Sequence, residues 1–463
     1  MNLKLQSLLY YSLLFVIFAL PIPLGANRPW AWNFFQIAIF ALTFVTALSH
    51  KDKPWLGLQP YLRMIYLWLA LIVVAALQLV PLPAVFVEFI SPSAFAIQQV
   101  TSVESFYLSL DTGQSGISFY KLLSFFCLFC LILMLVNTEQ RLKLLLMTML
   151  AAGTFQALYG ALEVLLQSQR SLIFQLEVTS IATGSFVYKN HFANFLMLTL
   201  AAGLGLLITS LQKDQMSSPK DLLRSIATTM LGSKALIRIC LAIMVIALVM
   251  SRSRMGNTAF FLAMTLTGIL ALLIIKQRSK GLSILIISIF IIDLFIVSAY
   301  FGLENVKNRL AETSLSEETR DEVITDAMPM LSDFAITGSG AGSFYSVFPK
   351  YQKTDVMSFY DHAHNDYLQF AIEYGLPTFT LLAGIVVFAF YKSIRAMRKR
   401  RNSIFKGVSF ACCMAIIGMC LHMAVDFPLQ AYANACYFVI FISLCMLSNN
   451  LKIRARGRSL SHS

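Results

Sequence analysis

The feature that most constrains this chain is an apolar stretch of membrane-spanning length that recurs from one end to the other. A membrane-spanning helix needs ~20 mostly apolar residues to cross a hydrocarbon layer ~30 Å thick. The 463 residues are 58% hydrophobic and 13% charged, whereas soluble domains are about 25% charged. The sequence therefore predicts an all-α polytopic membrane protein with about twelve transmembrane helices. These candidate spans lie at roughly 6–24, 30–48, 61–80, 118–136, 141–165, 190–211, 235–250, 255–275, 281–300, 372–391, 406–425 and 432–449.

The basic residues predict the orientation of these spans. Most of the 36 lysines and arginines lie in alternate connections, with the densest groups at 392–406 and 452–458. Because cytoplasmic connections are enriched in Lys and Arg, this pattern places both termini in the cytoplasm. The first apolar stretch, at 8–20, has no small-residue cleavage site and is read as a retained helix. Orientation also explains the net charge of +13, and no motif indicates a nucleic-acid partner.

Two outer segments are long enough to matter for function. Residues 1–300 hold the first nine spans and an outer loop at about 81–117, and residues 375–463 hold the last three spans and a basic cytoplasmic tail. Between them, residues 301–374 form the main outer loop, whose opening at 303–330 carries a charged helical pattern. Loops of this length inside a compact protein are usually functional. The loop is therefore the first place to look for a site.

Two arginines break the charge pattern of the outer side. Arg252 and Arg254 lie within Ser251–Gly256, a connection between the seventh and eighth spans that is too short for a free loop. Long basic side chains at such a position can simply reach the lipid headgroups. They can also bind an anion, because the planar guanidinium group grips phosphate oxygens in pairs. The sequence leaves both interpretations open.

A second cluster, rich in histidine, lies just before the tenth span. The stretch Asp361–Asp366 contains Asp361, His362, His364, Asn365 and Asp366, and His191 lies near the same face of the membrane. A histidine with a pKa of ~6.5 can accept a proton near neutral pH. A solvated polar loop and a metal site are the alternatives. The spacing does not match the His-Glu-x-x-His helix of metalloproteases.

Two acids within spans support a different class of function. Glu163 and Asp293 lie inside predicted helices, where ionisable residues are functional candidates by default. Together with the two arginines they could serve a proton-coupled anion transporter. Acids near helix ends also commonly reach interfacial water, so this alternative stays open.

Four sequence elements together resemble the superfamily of O-antigen ligases and O-antigen polymerases, which are bacterial membrane glycosyltransferases. They cover about residues 180–380 and appear in the expected order; the rest of the chain agrees only in its number of spans. The elements are Gly184–Phe195, Ser253-Arg254-Met255-Gly256, Arg320 before Thr337-Gly338-Ser339-Gly340, and His364-Asn365 with Gly375.

The resemblance implies a GT-C-like fold in the bacterial inner membrane and a site on the periplasmic side, with 301–374 as the catalytic loop. The donor would be a glycan on undecaprenyl diphosphate, transferred with inversion and without a metal or other cofactor. The acceptor would be a lipid-linked repeat unit in a polymerase or lipid A-core in a ligase, and the sequence leans slightly to the polymerase. Arg254 and Arg320 would bind the diphosphate, assisted by Arg252, and His364 would be the general base. Supporting roles fall to Asn365, His362, Asp361, Asp366 and His191.

Overall fold

The structure, a computed structural model, is helical throughout the part of the chain that it describes. It describes residues 3–49, 57–101, 104–167, 169–177, 180–209, 233–275, 315–353 and 359–451, without the side chains of 3, 233–234 and 315–321. The helices in these ranges are α1 (Leu3–Ala19), α2 (Pro29–Ser49), α3 (Leu62–Leu77), α4 (Ala84–Ile90), α5 (Pro92–Val100), α6 (Thr112–Leu135), α7 (Glu139–Leu165), α8 (Lys189–Thr209), α9 (Ser233–Met250), α10 (Arg254–Ile274), α11 (Leu315–Asp333), α12 (Phe344–Val347), α13 (Asp366–Lys399), α14 (Ser403–Met423) and α15 (Tyr432–Asn450).

Nine helices in the described ranges are long and apolar enough to cross a membrane, so the protein is a polytopic membrane protein. Two shorter apolar helices, α1 and α9, coincide with the first and seventh predicted spans. Eleven of the twelve predicted spans thus have a helix at their position. The ninth, at 281–300, lies outside the described residues, as does Asp293.

Hydrogen bonds between connections show that the helix ends gather at two opposite ends of the bundle. At one end, Asn402 Nδ2 donates to Glu139 Oε1 (2.6 Å) and Asn450 Nδ2 donates to the Pro60 carbonyl (3.1 Å). At the other end, Ser253 Oγ donates to Asn190 Oδ1 (2.7 Å). The first end carries the connections predicted to be cytoplasmic, and the second carries those predicted to be outer. The second end is called the site end below.

The centre of the bundle is built by α8, α14 and α15, whose apolar side chains are almost wholly buried. Helices α8 and α14 approach so closely that their backbones touch. A Cβ on Gly205 would lie 2.8 Å from the Gly407 carbonyl, and one on Gly407 would overlap the Gly205 carbonyl. Small residues at such crossings are typical of membrane helix pairs. This pair gives the site end a rigid support.

A second, smaller core lies above the bundle at the site end. Helix α11 packs Val323 and Ala327 against Phe344, Ala363 and neighbouring apolar residues. An ion pair stabilises the same layer, because the buried Asp326 carboxylate binds Nζ of the exposed Lys353 at 2.9 Å. The charged pattern predicted for 303–330 is helical from residue 315 onward, and its earlier part lies outside the described residues. Apolar packing therefore docks the outer loop on the bundle.

Helix α13 is broken at Gly375, and the glycine-rich loop at 338–342 fills the break. Gly375 has φ 75°, and Pro377 follows two residues later. The Ser339 N–H donates to the Ile372 carbonyl (2.9 Å), and the Leu376 N–H donates to the Ala335 carbonyl (2.7 Å). The break therefore leaves a carbonyl and an N–H of the helix that these bonds satisfy. The glycines allow backbone to approach backbone, since a Cβ on Gly338 would overlap the Glu373 carbonyl.

Replacing Gly375 by alanine should destabilise the protein. A Cβ there would overlap the Ile336 carbonyl, and the positive φ disfavours any L side chain. We expect a loss of about 1–3 kcal/mol, measured as a lower thermal midpoint in detergent. Gly384→Ala is the matched control, because Gly384 lies in the same helix with open space around its Cβ position. That control should be neutral or stabilising by about 0.5–1 kcal/mol, and equal losses in both variants would contradict the prediction.

Candidate active site

The histidine-rich segment leads directly into α13 and is held by the start of that helix. Asn365 is the N-cap, since its Oδ1 accepts from the Leu368 N–H (3.1 Å), and its Nδ2 donates to the Ala424 carbonyl (3.0 Å). His364 lies immediately before the cap with φ 51°, a left-handed conformation that is uncommon for a residue other than glycine. Strained backbone of this kind often occurs at functional sites. The cap thus presents His364 at the site end.

Phe427, in the connection between α14 and α15, is the aromatic centre of this end. Its ring centroid lies 4.5 Å from that of His362, 4.9 Å from that of His364 and 5.1 Å from that of His191. Tyr188 stacks on it at 5.5 Å. The His191 Nε2–H donates to the Phe427 carbonyl (3.2 Å), because a carbonyl can only accept. One buried ring therefore brings together three histidines from two distant parts of the sequence.

A chain of hydrogen bonds connects the start of α10 with the start of α13. Ser253 caps α10 by accepting from the Gly256 N–H (3.1 Å) and donates to Asn190 Oδ1. Asn190 Nδ2 then donates to Asp426 Oδ2, and the Asp426 carbonyl accepts from the Asp366 N–H (3.2 Å). Asp366 and Asp426 are both buried. Four segments that are far apart in sequence are thus fixed relative to one another.

The two arginines lie at one end of this chain. Arg252 is in the turn between α9 and α10 with φ 48°, and Arg254 is the first residue of α10. Both are exposed, while Ser251 and Ser253 between and beside them are buried. The Ser251 hydroxyl accepts from the Ser253 N–H (3.2 Å), which tightens the turn. The two buried serines therefore stabilise the turn, and the two arginines lie on its exposed side.

Gln369 determines the hydrogen-bonding state of His362. Its Oε1 accepts from the Ala363 N–H (3.2 Å), so its Nε2 is the donor to both Glu373 Oε1 (2.9 Å) and His362 Nδ1 (3.2 Å). A neutral His362 ring must then carry its proton on Nε2. Glu373 also accepts from the Gly342 N–H (2.9 Å), which joins this network to the glycine-rich loop. Neutral His362 can consequently donate a hydrogen bond from Nε2, while its Nδ1 lone pair is already used by Gln369 and is not open to a proton.

Burial lowers the pKa of His362, although Asp361 beside it and the Gln369 hydrogen bond act in the opposite direction. The unfolded chain binds a proton at this residue below its ordinary pKa of ~6.5, and the folded protein resists doing so. His362 therefore contributes stability in full above about pH 6.5, and this contribution falls as the pH drops through that value.

We expect His362→Gln to reduce the loss of thermal midpoint between about pH 7.5 and pH 5. The test is a series of melting curves for both proteins in one detergent, and the offset between them at pH 7.5 serves as the baseline. If the offset stays constant across the pH range, burial of His362 is not linked to protonation.

The structure brings together most of the residues that the sequence singled out. His191, His362 and His364 surround one ring, while Asn365 and Asp366 hold the start of α13. Asp361, Arg252 and Arg254 have exposed side chains. Arg320 lies in α11, two turns before Ala327, but its side chain lies outside the described residues.

Sequence reasoning missed the connection between α14 and α15, which supplies Asp426 and Phe427. A signal was present, since Asp426 is a carboxylate in a short connection on the outer side. Gln369 and Glu373 were also missed, because their roles depend on which groups the break in α13 places beside them. No group of three His, Cys, Asp or Glu side chains in the described ranges could hold a metal ion.

Glu163, the described member of the pair of acids within spans, has a structural partner. It is 3% exposed, and its Oε1 accepts from the Leu172 N–H (3.0 Å) in the segment that follows α7. It does not reach open water. Its contacts explain its position without a proton path.

Fold and site together define a polytopic helical membrane protein with a cluster of histidines, carboxylates and arginines at one end of its bundle. Residues 239–383 match the model of the Wzy_C family, described as O-antigen ligase. The chain thus carries an O-antigen ligase family domain and is an integral membrane enzyme of the ligase or polymerase type. No curated protein matches the sequence. The matched residues contain the arginine turn and the histidine segment but end before Asp426.

Proposed function

We propose that the protein transfers a glycan from an undecaprenyl-diphosphate carrier to an acceptor sugar at the periplasmic face of the inner membrane. The observation that carries the proposal is the hydrogen-bond chain from Ser253 through Asn190 and Asp426 to Asp366. It holds two exposed arginines and a strained histidine in one rigid frame. Transfer from a diphosphate requires both kinds of group, because a phosphate anion leaves while a hydroxyl loses its proton.

Each group has a role in the proposed reaction. Arg254 and Arg252 bind the diphosphate and meet the charge that develops on it as it departs. Arg320 joins them from the outer loop, and the reaction needs no metal. His364 takes the proton of the acceptor hydroxyl while the hydroxyl oxygen bonds to the anomeric carbon from the face opposite the leaving group. The bond from that carbon to the diphosphate oxygen breaks, and the carrier leaves with the electron pair.

The tautomer of His362 supports the choice of His364 as the base. Gln369 donates to His362 Nδ1, so a neutral His362 offers an N–H to the site. It can orient the acceptor or a sugar oxygen, but it is poorly placed to take up a proton. The left-handed backbone of His364 supports the same choice, since strain is tolerated where geometry matters for chemistry.

Among the two acceptors, we favour a lipid-linked repeat unit, which makes the protein a polymerase. The alternative is a ligase that transfers to lipid A-core, as the description of the matched family would have it. A proton-coupled anion transporter is disfavoured, because Glu163 is engaged with the backbone near Leu172.

The test is a transfer assay with purified protein in detergent, undecaprenyl-diphosphate-linked repeat units and EDTA. A ladder of longer lipid-linked glycans identifies a polymerase. If the glycan is transferred only after lipid A-core is added, the protein is a ligase. If the donor stays intact with both acceptors while the protein is folded, the glycosyltransferase proposal is wrong.

A further inference from the structure

An apolar groove opens beside the candidate active site and shares Glu373 and Gly342 with its hydrogen-bond network. Its volume is about 390 Å³, and it is lined by α3, α6, α13, α14 and α15. Apolar side chains make up most of its wall, among them Trp68, Phe125, Phe379, Val386 and Phe438. None of its lining residues comes from α8, α9 or α10, the helices beside the arginine turn. The groove is therefore formed by other helices than those of the arginine turn.

The groove follows the helix axes from the site end into the membrane. On α13 its lining continues beyond the break at Gly375 as far as Val387, and on α15 it runs from Tyr432 to Ile442. At a rise of ~1.5 Å per residue these stretches are roughly 18 Å and 15 Å long. They reach about half-way through a hydrocarbon layer ~30 Å thick. This shape suits an extended hydrocarbon chain better than a compact solute.

The upper end of the groove is polar and is bonded to the histidine cluster. Gln430 lines it and donates to Asp366 Oδ1 (3.3 Å). Glu373 lines it and is connected through Gln369 to His362. Lys121 is the only basic residue among those that line the groove, its Nζ lies 4.0 Å from the centre of the Trp32 ring, and its charge acts on both Glu373 and His362. A lipid with an anionic headgroup would place its charge at Lys121 and its chain below.

We propose that this groove holds the polyprenyl chain of the lipid-linked acceptor, with the acceptor diphosphate near Lys121 and its glycan directed to the histidines. The inference rests on the proposed function, in which the donor diphosphate is bound at the arginine turn. A polymerase joins two lipid-linked substrates and therefore needs two places for lipid. No residue that lines the groove comes from the helices of the arginine turn, so the two chains would not compete.

The test fills the groove without disturbing the core. Ala383 lines the groove and is exposed, so Ala383→Phe occupies its space. Gly384→Phe is the matched control, because Gly384 is the next residue on the same helix, does not line the groove and has open space around its Cβ position. Lys121→Gln is a second variant that removes the charge while keeping the volume available.

Two readouts separate this inference from the proposed function. The first is native mass spectrometry with undecaprenyl diphosphate alone. We expect two bound molecules in the wild type and in Gly384→Phe, and one in Ala383→Phe. Phosphatidylglycerol should displace undecaprenyl diphosphate from neither binding place. An unchanged stoichiometry in Ala383→Phe, or displacement from the groove by phosphatidylglycerol, overturns the inference even if no transfer is ever observed.

The second readout is the KM for each substrate in the transfer assay. Ala383→Phe should raise the KM for a long-chain acceptor about tenfold, since excluding even two methylene groups weakens binding by about that factor. The KM for the donor, and for the same acceptor on a short soluble chain, should stay as in the wild type. A rise in KM that is confined to the donor overturns the inference. A loss of transfer that is seen only with lipid A-core as the acceptor also overturns it.

Discussion

Replacing His364 by asparagine should reduce glycan transfer about 10²–10⁴-fold, the range that a general base contributes. Asparagine is the informative substitution, because it tolerates the left-handed backbone at this position and has no site that accepts a proton near neutral pH. It therefore removes the base while leaving the geometry of the cap at Asn365 intact. Donor binding should be unchanged. The measurement is the single-turnover rate with saturating donor and acceptor.

His364→Ala separates chemistry from backbone strain. Alanine adopts the left-handed conformation less readily, so this variant should also lose some stability. If the left-handed backbone at position 364, and not the imidazole, were what transfer requires, the asparagine variant would keep its activity and the alanine variant would lose it. Equal rates in wild type and His364→Asn would remove His364 from the mechanism.

Replacing Arg254 by alanine should weaken transfer through donor binding and through the departure of the diphosphate. A hydrogen bond to a charged group contributes about 1.5–3 kcal/mol, which corresponds to a decrease of roughly 10–150-fold in kcat/KM. Arg254→Lys should recover only part of this, because lysine cannot form the paired hydrogen bonds of a guanidinium group. The measurement is kcat and KM with the donor varied.

Arg28→Ala is the matched control for Arg254. Arg28 is also an exposed arginine in a connection at the site end, where the neighbouring Pro21 carbonyl accepts from the Ser185 hydroxyl (2.9 Å). Its removal changes the surface charge by the same amount but takes nothing from the arginine turn. Similar decreases in both variants would assign the effect to the general electrostatic field rather than to a diphosphate site.

The membrane architecture could be predicted well from the sequence, because apolar length and basic clusters follow directly from the physics of the bilayer. The arginine turn and the histidine segment were also visible, since polar groups at unusual positions are conspicuous in an apolar chain. Each was predicted alone, however. That Asn190 and Asp426 join them depends on which helices pack side by side.

The remaining parts of the site could not be predicted because they arise from tertiary packing. Phe427 reads in sequence as one more aromatic residue among 37 phenylalanines, and only the packing of α14 and α15 places it between three histidines. Likewise, Glu373 reads in sequence as an acid at the edge of a span, and only the break at Gly375 places its carboxylate against the Gly342 N–H. Local patterns carry no information about such contacts.

The most direct test of the central claim is a cryo-electron microscopy structure of the His364→Asn variant with an undecaprenyl-diphosphate-linked repeat unit bound. The variant binds the donor but turns it over slowly, so the complex should be stable enough to image. We expect the diphosphate within hydrogen-bonding distance of the Arg254 guanidinium group and the anomeric carbon facing residue 364 beside Phe427. A diphosphate bound elsewhere, with the Arg254 turn and the residue 364 position both empty, would contradict the account.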